Sequence, residues 1–334
     1  MADLKLTVIV PLYNSVALVS RCLESIVCQE IPADEYEVIV VDDGSTDGGG
    51  DVVDDFSRNH PQVKVIHQPN AGVSAARNRA IAMAKGRFLQ FVDADDYLVE
   101  GTMSQLLQRA IDLDVEVLVF NYHRVDDKLN ILAIDENDFF SSMSVMTGVQ
   151  YLSSHVMTPY VWRFLLRRDF LVQGNWRFNE SLVVCEDGVM IANFLLHAAR
   201  VAQDDSAPYC YVLNSTSAMH NPDPQHLRRR IFSQIDAAAS IDDTIKRYEA
   251  QTGQAAPASV AGLRNVYLYF SMTKALTCGI VDDAVQRISQ RGMFPFPCVG
   301  PEAHYHGAKW KIIHALMMKP ALWKLLSKLY RMLK

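Results

Sequence analysis

Cysteine is scarce in this chain: six residues in 334, at Cys22, Cys28, Cys185, Cys210, Cys278 and Cys298, with no C-x-x-C pair. That excludes a zinc knuckle and a disulfide scaffold and leaves reduced, mostly buried thiols. No uninterrupted apolar run approaches the length of a membrane-spanning helix. Met1-Ala2-Asp3-Leu4-Lys5 lacks a basic region followed by an apolar one, so no secretory leader is expected and the sequon Asn214-Ser215-Thr216 carries no glycosylation meaning. Surplus positive charge is missing too: 32 Lys and Arg face 38 Asp and Glu, a net charge of −6. That argues against a nucleic-acid partner held by bulk charge. Glycine-rich phosphate cradles are also absent. No G-x-G-x-x-G follows the first strand-like run, no G-x-x-x-x-G-K-[ST] occurs, and Gly48-Gly49-Gly50 has neither that spacing nor the lysine.

What the chain does have is apolar residues, 49% of the total, arranged with two alternating periods. Leu6–Val10, Val38–Val41, Val63–Ile66, Phe88–Val92 and Val115–Phe120 are short, β-branched or aromatic runs. Between them, Val16–Val27, 51–58, Val73–Ala84 and 101–111 have helical spacing, and Gly86 suits the position just past a helix. This alternation predicts an α/β domain: a mostly parallel, Rossmann-like sheet with helices on both faces. Residues 126–145 are polar and irregular and read as a loop or hairpin. Segments near 148–155 and 160–172 read as helical, Gly188–Ala199 as a strong helix and Ala207–Leu213 as a strand. Asn221-Pro222-Asp223-Pro224 marks a boundary. It separates a first domain, 1–222, from a helical one, 223–334, with two or three amphipathic helices over 225–290 and a break at Phe294-Pro295-Phe296-Pro297.

In an open parallel sheet, ligands bind beyond the carboxyl ends of the strands. Three polar turns fall there: Pro11-Leu12-Tyr13-Asn14, Asp42-Asp43-Gly44-Ser45-Thr46-Asp47 and Asp93-Ala94-Asp95-Asp96. Two are strongly acidic, so a phosphorylated ligand could share this edge only with a cation between; hard oxygen donors suit Mg²⁺ or Mn²⁺. Asp93-x-Asp95 directs two carboxylates from one turn toward such an ion. The Asp42–Ser45 turn also reads as a tight turn and helix cap. An aspartate there could equally accept from a base N–H or a ribose hydroxyl, and Tyr13 could stack on a base or simply pack. Glu186-Asp187 opens a helix, where acids are favoured by the helix dipole; the alternative is a general base for a hydroxyl nucleophile. Cys185 has no neighbouring histidine and is not expected to be a catalytic thiol.

Val10-Pro11-Leu12-Tyr13-Asn14, Val41 to Asp47, Asn70-Ala71-Gly72-Val73-Ser74-Ala75-Ala76-Arg77-Asn78 and Phe91-Val92-Asp93-Ala94-Asp95-Asp96 follow one another in order. Together they resemble family 2 glycosyltransferases of the GT-A fold, closely over the first 100 residues. The likeness is looser through Trp162-Arg163-Phe164, Phe178-Asn179-Glu180 and Glu186-Asp187. The resemblance implies inverting, metal-dependent transfer of a sugar from a nucleotide-sugar donor, usually a UDP-sugar. In that pattern Pro11 and Tyr13 border the base, Asp43 holds the uracil and Arg77 lies near the nucleotide, with Asn14 and Asp42 counted among the donor-binding residues. Asp93 meets the ribose, Asp95 or Asp96 the metal (Mn²⁺ or Mg²⁺), and Asp187, beside Glu186, acts as base. The Q-x-x-R-W motif of processive synthases is absent, which favours one sugar per encounter. Where the family has Tyr-Arg after the E-D helix, this chain has Tyr211-Val212; His220 and Arg228-Arg229-Arg230 are then candidates for basic contacts.

Residues 307–334 hold Lys309, Lys311, Lys319, Lys324, Lys328, Arg331 and Lys334 and no acid, interleaved with Trp310, Trp323 and many aliphatic residues; Pro320 divides the segment. This basic amphipathic stretch reads either as an interfacial membrane helix or as a terminal helix docked on its own domain. The expected partners are a nucleotide-sugar and a glycan or lipid-linked acceptor of surface or capsular polysaccharide synthesis. The expected setting is the cytoplasm at the inner face of the membrane, with a homo-oligomer left open. Two other functions compete. A non-catalytic sugar-binding module would not need Asp187. A D-x-D phosphotransferase would need an aspartate after the first strand, where Pro11-Leu12-Tyr13-Asn14 stands.

Overall fold

The computed structural model describes residues 4–134, 144–213, 223–295 and 319–332. Asp135, Glu136, Asp138, the Asn214 sequon, His220, Asn221-Pro222, Phe296-Pro297, Cys298 and 307–318 lie outside the described residues. The chain forms two compact units. Met1–Gly148, Tyr160–Glu180 and His197–Ser217 make the first; Val149–Pro159, Ser181–Leu196 and Ala218–Lys334 make the second. The division therefore does not fall at one point in the sequence: 149–159 and 181–196 group with the C-terminal helices.

The first unit opens with β1 (Leu6–Leu12), α1 (Val19–Val27), β2 (Tyr36–Asp42), α2 (Gly49–Asn59), β3 (Val63–His67), α3 (Val73–Met83) and β4 (Phe88–Phe91). All residues of β2 and β4, and all of β1 but Pro11, are buried. Strands covered on both faces are mostly apolar, hence the Val and Ile runs, and their buried polar residues Thr7, Glu37 and Gln90 are hydrogen-bonded. Each such side chain contributes about 1.5–3 kcal/mol on burial. Then come β5 (Tyr97–Leu98), α4 (Thr102–Asp112), β6 (Val117–Val125), β7 (Ile131–Ile134), β8 (Phe164–Arg167), α6 (Arg168–Gln173) and β9 (Val201–Val212), while α5 (Gly148–Ser154), between β7 and β8 in the chain, belongs from Val149 onward to the second unit. The strand order is β3-β2-β1-β4-β8-β6-β9-β5, with β7 paired to β6 as the hairpin expected from 126–145. Helices lie on both sides of the sheet.

The α/β fold is as expected; within its mixed sheet β1 to β4 are parallel, β8 runs antiparallel to both β4 and β6, and β5 antiparallel to β9. Two expectations need correcting. Residues 160–172 are not one helix. A single 3-10 turn, Val161–Arg163, leads into β8, and only Arg168–Gln173 is α-helical. A short, fully apolar run has no period to separate a buried strand from a helix. Gly86 does not cap α3, which ends on an extended Ala84. It is a glycine for want of room, because a Cβ there would sit 2.3 Å from the Leu6 carbonyl carbon.

In the second unit α7 (Glu186–His197, its last residue in the first unit) precedes α8 (Pro224–Thr252), α9 (Ala258–Cys278), α10 (Val281–Gln290) and α11 (Pro320–Met332). Asp223 caps α8, its Oδ2 accepting from His226 N at 2.7 Å, and Pro224 takes the first turn. Helices α8, α9 and α10 pack on one another and α11 packs on α10. Ile235, Ile241, Leu268, Met272 and Ile288 are buried among them, and Arg287 of α10 donates to both oxygens of Asp236 on α8.

Candidate active site

Parallel register fixes the location of the site in the first unit. Leu12 pairs with Asp42, and Ile9 with Phe91, so the turns after β1, β2 and β4 leave from one edge of the sheet. The first two are laced together. Asn14, at a left-handed φ of 49°, donates its backbone N–H to Ser45 Oγ (3.1 Å), and its Oδ1 accepts from Thr46 N (2.8 Å). Val16 N donates to Asp47 Oδ2 at 2.8 Å. Gly44, at φ 75°, lets the turn pass Asn70 closely; a Cβ would lie 2.9 Å from Asn70 N. Tyr13 is left half exposed at the rim and Pro11 half-buried below it.

The two aspartates of this turn face different neighbours. Asp42 is buried, and burial alone would raise its carboxyl. Hydrogen bonds from Ser45 and His67 outweigh that and hold it below the ordinary range. Asp43, also buried, spends three acceptor positions on its own fold: Oδ1 takes Gln68 Nε2 (2.7 Å) and Ala71 N (2.8 Å), and Oδ2 takes Gly72 N (2.7 Å). A carboxylate offers about four lone-pair sites, so one remains for a ligand donor.

The turn after β4 gathers the cation-binding candidates. Arg77 of α3 is buried, with its Cζ 5.2 Å from the Phe178 ring centre, and donates to Asp93 Oδ1 at 2.9 Å. Asp95 is pushed up to about 6, first by burial and then by Asp93. Asp96 is likewise pushed up, well above the ordinary carboxylate range, by burial, Asp95 and Asp93. Yet Asp96 faces inward: Tyr209 Oη donates to its Oδ2 at 2.6 Å and Val212 N to its Oδ1 at 2.8 Å. Tyr209 Oη also accepts from Asp93 N at 3.1 Å, so one phenol pins both ends of the D-A-D-D turn. Of the two metal candidates, Asp95 is the one without a side-chain partner of this kind. Among the described residues no three His, Cys, Asp or Glu side chains converge as a metal cage. The donor set still fits a hard divalent cation. One or two carboxylates crowded at a turn, with phosphate oxygens and waters completing the shell, is the usual Mg²⁺-type arrangement.

Several residues that the sequence reading quoted only as parts of motifs have positioning roles in the structure. Trp162 stacks on Tyr209 at 4.2 Å between ring centres and 6° between planes, and also on Tyr211 at 5.7 Å. Arg163 is buried and donates from Nε to Phe120 O at 2.8 Å. Asn78 clamps the 178–180 segment, accepting from Phe178 N and donating to Phe178 O and Glu180 Oε1, each at 2.9 Å. The alternation Tyr209-x-Tyr211 was the available signal, since period two puts both rings on one face.

Glu186 and Asp187 lie in the second unit, half-buried in the first turn of α7. Ser233 of α8 fixes the approach to that turn, accepting from Val183 N (2.9 Å) and Val184 N (3.1 Å). Burial, with Glu186 adding to it, pushes the Cys185 thiol up to about 12, which keeps it protonated and inert. Arg228 is paired with Asp283 at 2.8 Å.

Residues 7–173 match the sequence model of the family described as Glycosyl transferase family 2. The chain is 34% identical over 221 residues to the uncharacterized glycosyltransferase YibD of Escherichia coli K12, a match over 64% of this chain and 62% of that protein. It is 28% identical over 287 residues to the poly(ribitol-phosphate) beta-glucosyltransferase of Bacillus spizizenii W23, covering 84% of this chain and 43% of that one. Among solved structures, S. aureus TarS 1–349 in complex with UDP superposes with a TM-score of 0.63 at 22% identity, over 99% of this chain and 92% of that one. At that identity the likeness speaks for the fold.

Proposed function

Because the chain belongs to glycosyl transferase family 2, we propose that it moves a sugar from a UDP-sugar donor to a hydroxyl of a glycan or lipid-linked acceptor in surface polysaccharide synthesis. The observation that carries this reading is the single sheet edge on which Tyr13-Asn14, Asp42-Asp43 and Asp93-Asp95 come together. The UDP named with TarS and the polyol-phosphate polymer named with the Bacillus enzyme support it as analogies.

In this reading Pro11 and Tyr13 flank the base, and the spare acceptor site of Asp43 takes a base N–H. Arg77 orients Asp93 toward the ribose. Asp95 would hold the divalent cation, with Asp96 keeping the turn in place from beneath. That ion, when bound, offsets the negative charge of the departing diphosphate. Asp187 takes the proton of the acceptor hydroxyl during attack, since a free hydroxyl is a poor nucleophile. One displacement from the face opposite the leaving group inverts the anomeric carbon. The chain has no processive-synthase signature, so a single transfer per encounter goes with this reading.

A panel of UDP- and GDP-sugars with Mn²⁺ or Mg²⁺ tests it. Nucleotide release is expected with a UDP-sugar and is expected to fall at least about 100-fold when the metal is chelated. A chain that holds no activated sugar and releases no nucleotide with any member of the panel sinks the reading.

A peripheral membrane setting on the cytoplasmic side completes the proposal. Among the described residues no helix is long and apolar enough to cross a membrane. On α11, Trp323 and Ser327 are buried while Leu325, Leu329 and Met332 form an exposed stripe beside the exposed Lys324 and Lys328. Apolar residues flanked by lysines suit an anionic lipid surface, at about 1 kcal/mol per lysine. The protein is expected to sediment with anionic vesicles and not with neutral ones, and Leu325→Ser with Leu329→Ser is expected to abolish this. Equal partition into both vesicle types excludes the reading.

A further inference from the structure

His67, the last residue of β3, is absorbed by no part of the mechanism above. Its ring lies between two carboxylates: Nδ1 is 2.8 Å from Asp42 Oδ2, and Nε2 is 3.1 Å from Asp54 Oδ1 on α2. A neutral imidazole has one N–H and one lone pair, so it can donate to only one of them. Both contacts are hydrogen bonds only when the ring is an imidazolium. Asp42 passes the constraint on. Its Oδ1 accepts from Ser45 N at 3.0 Å, Ser45 Oγ accepts from Asn14 N, and Thr46 N returns to Asn14 Oδ1. A chain of hydrogen bonds therefore runs from α2, through the ring, to the two turns that border the nucleotide in the proposed reading.

We propose that His67, as an imidazolium, is a positioning residue that locks the Asp42–Ser45 turn and Asn14 into the shape that receives the nucleotide. This rests on the nucleotide-sugar reading. The charged groups that face the ring are Asp42 from β2 and Asp54 from α2; their hydrogen bonds raise His67 above its ordinary value of 6.5. The sign follows from that direction. The cation's contribution is fully present below 6.5 and is lost as pH rises through the raised value in the folded chain. His67 itself is half exposed, so replacing it leaves no buried cavity.

The test is UDP affinity by calorimetry with Mn²⁺ in excess, at pH 6 and pH 8.5, for wild type and His67→Gln, which can donate but cannot bridge as a cation. Wild type is expected to lose about tenfold in affinity between the two pH values. His67→Gln is expected to bind weakly at both and to respond little to pH. In turnover, the variant's effect is expected in the donor KM, with kcat within about twofold. A folded His67→Gln that binds UDP as wild type does at both pH values overturns the proposal. If wild type binds no UDP, the donor reading falls by itself, and amide hydrogen exchange at Ser45 and Thr46 decides the latch. His67→Gln must then speed that exchange about tenfold at pH 6, and equal rates overturn it.

Discussion

Asp187→Asn is expected to slow sugar transfer by about 10²- to 10⁴-fold while UDP affinity stays within about twofold of wild type. Asparagine has the same shape and still accepts a hydrogen bond, but it cannot take a proton from an attacking hydroxyl. Ser233 holds the approach to that turn by accepting from Val183 N and Val184 N, and the rate is compared on a variant shown by its unfolding transition to be folded. Glu186→Gln, one residue away, is the control: it removes the same charge from the first turn of α7 and should cost much less activity. If Asp187→Asn retains more than about a tenth of the wild-type rate, the base lies elsewhere; a wild type that binds donor but transfers no sugar makes a sugar-binding module the better description.

Gly86→Ala should be the most damaging single methyl group in the first unit, with an expected loss of at least about 3 kcal/mol of stability. The segment joining α3 to β4 crosses the start of β1 so closely that an alanine Cβ would lie 2.3 Å from Leu6 C and 2.4 Å from Thr7 N. These are backbone atoms and cannot swing aside. The same spot carries a buried network. Gly86 N donates to Thr7 Oγ1 (2.9 Å), which donates to Glu37 Oε1 (2.9 Å), and that oxygen also takes Lys85 N (2.7 Å). Pushing β4 away from β1 would strain every member. Urea unfolding checks this; a midpoint within about 0.3 M of wild type at equal slope would mean that the strands part without cost.

The parts of the fold that sequence displays are those with a period. The first four strands and the four helices α1 to α4 lie where the alternation put them, because parallel strands with covered faces leave a mostly apolar signature. β8 was hidden for the same reason: Phe164-Leu165-Leu166 carries apolarity without period. β9 begins at Val201 rather than Ala207, because Asp204-Asp205-Ser206 interrupts it with polar residues beside the irregular pairing near Phe120 and Tyr122. Within the site, sequence brought the acidic turns to one edge but could not say which carboxylates already have partners. Asp96 looks like a metal ligand from its neighbours in sequence, yet Tyr209, which occupies its Oδ2, is 113 positions away. No local pattern encodes that pairing.

The antiparallel β8 between β4 and β6 also sets an order of events. A chain emerging from the ribosome finishes β4 at residue 91, but the strand that bonds to its free edge does not exist until residues 164–167. Throughout that interval the amides and carbonyls of one of the most apolar strands in the protein stand open, the kind of edge that captures stray strands. The polar stretch around 126–130 and the turn at Val161–Arg163 are translated within that window. The length of the whole stretch between β4 and β8, which includes β5, α4, β6, β7 and α5, therefore governs how long the nascent sheet stays incomplete.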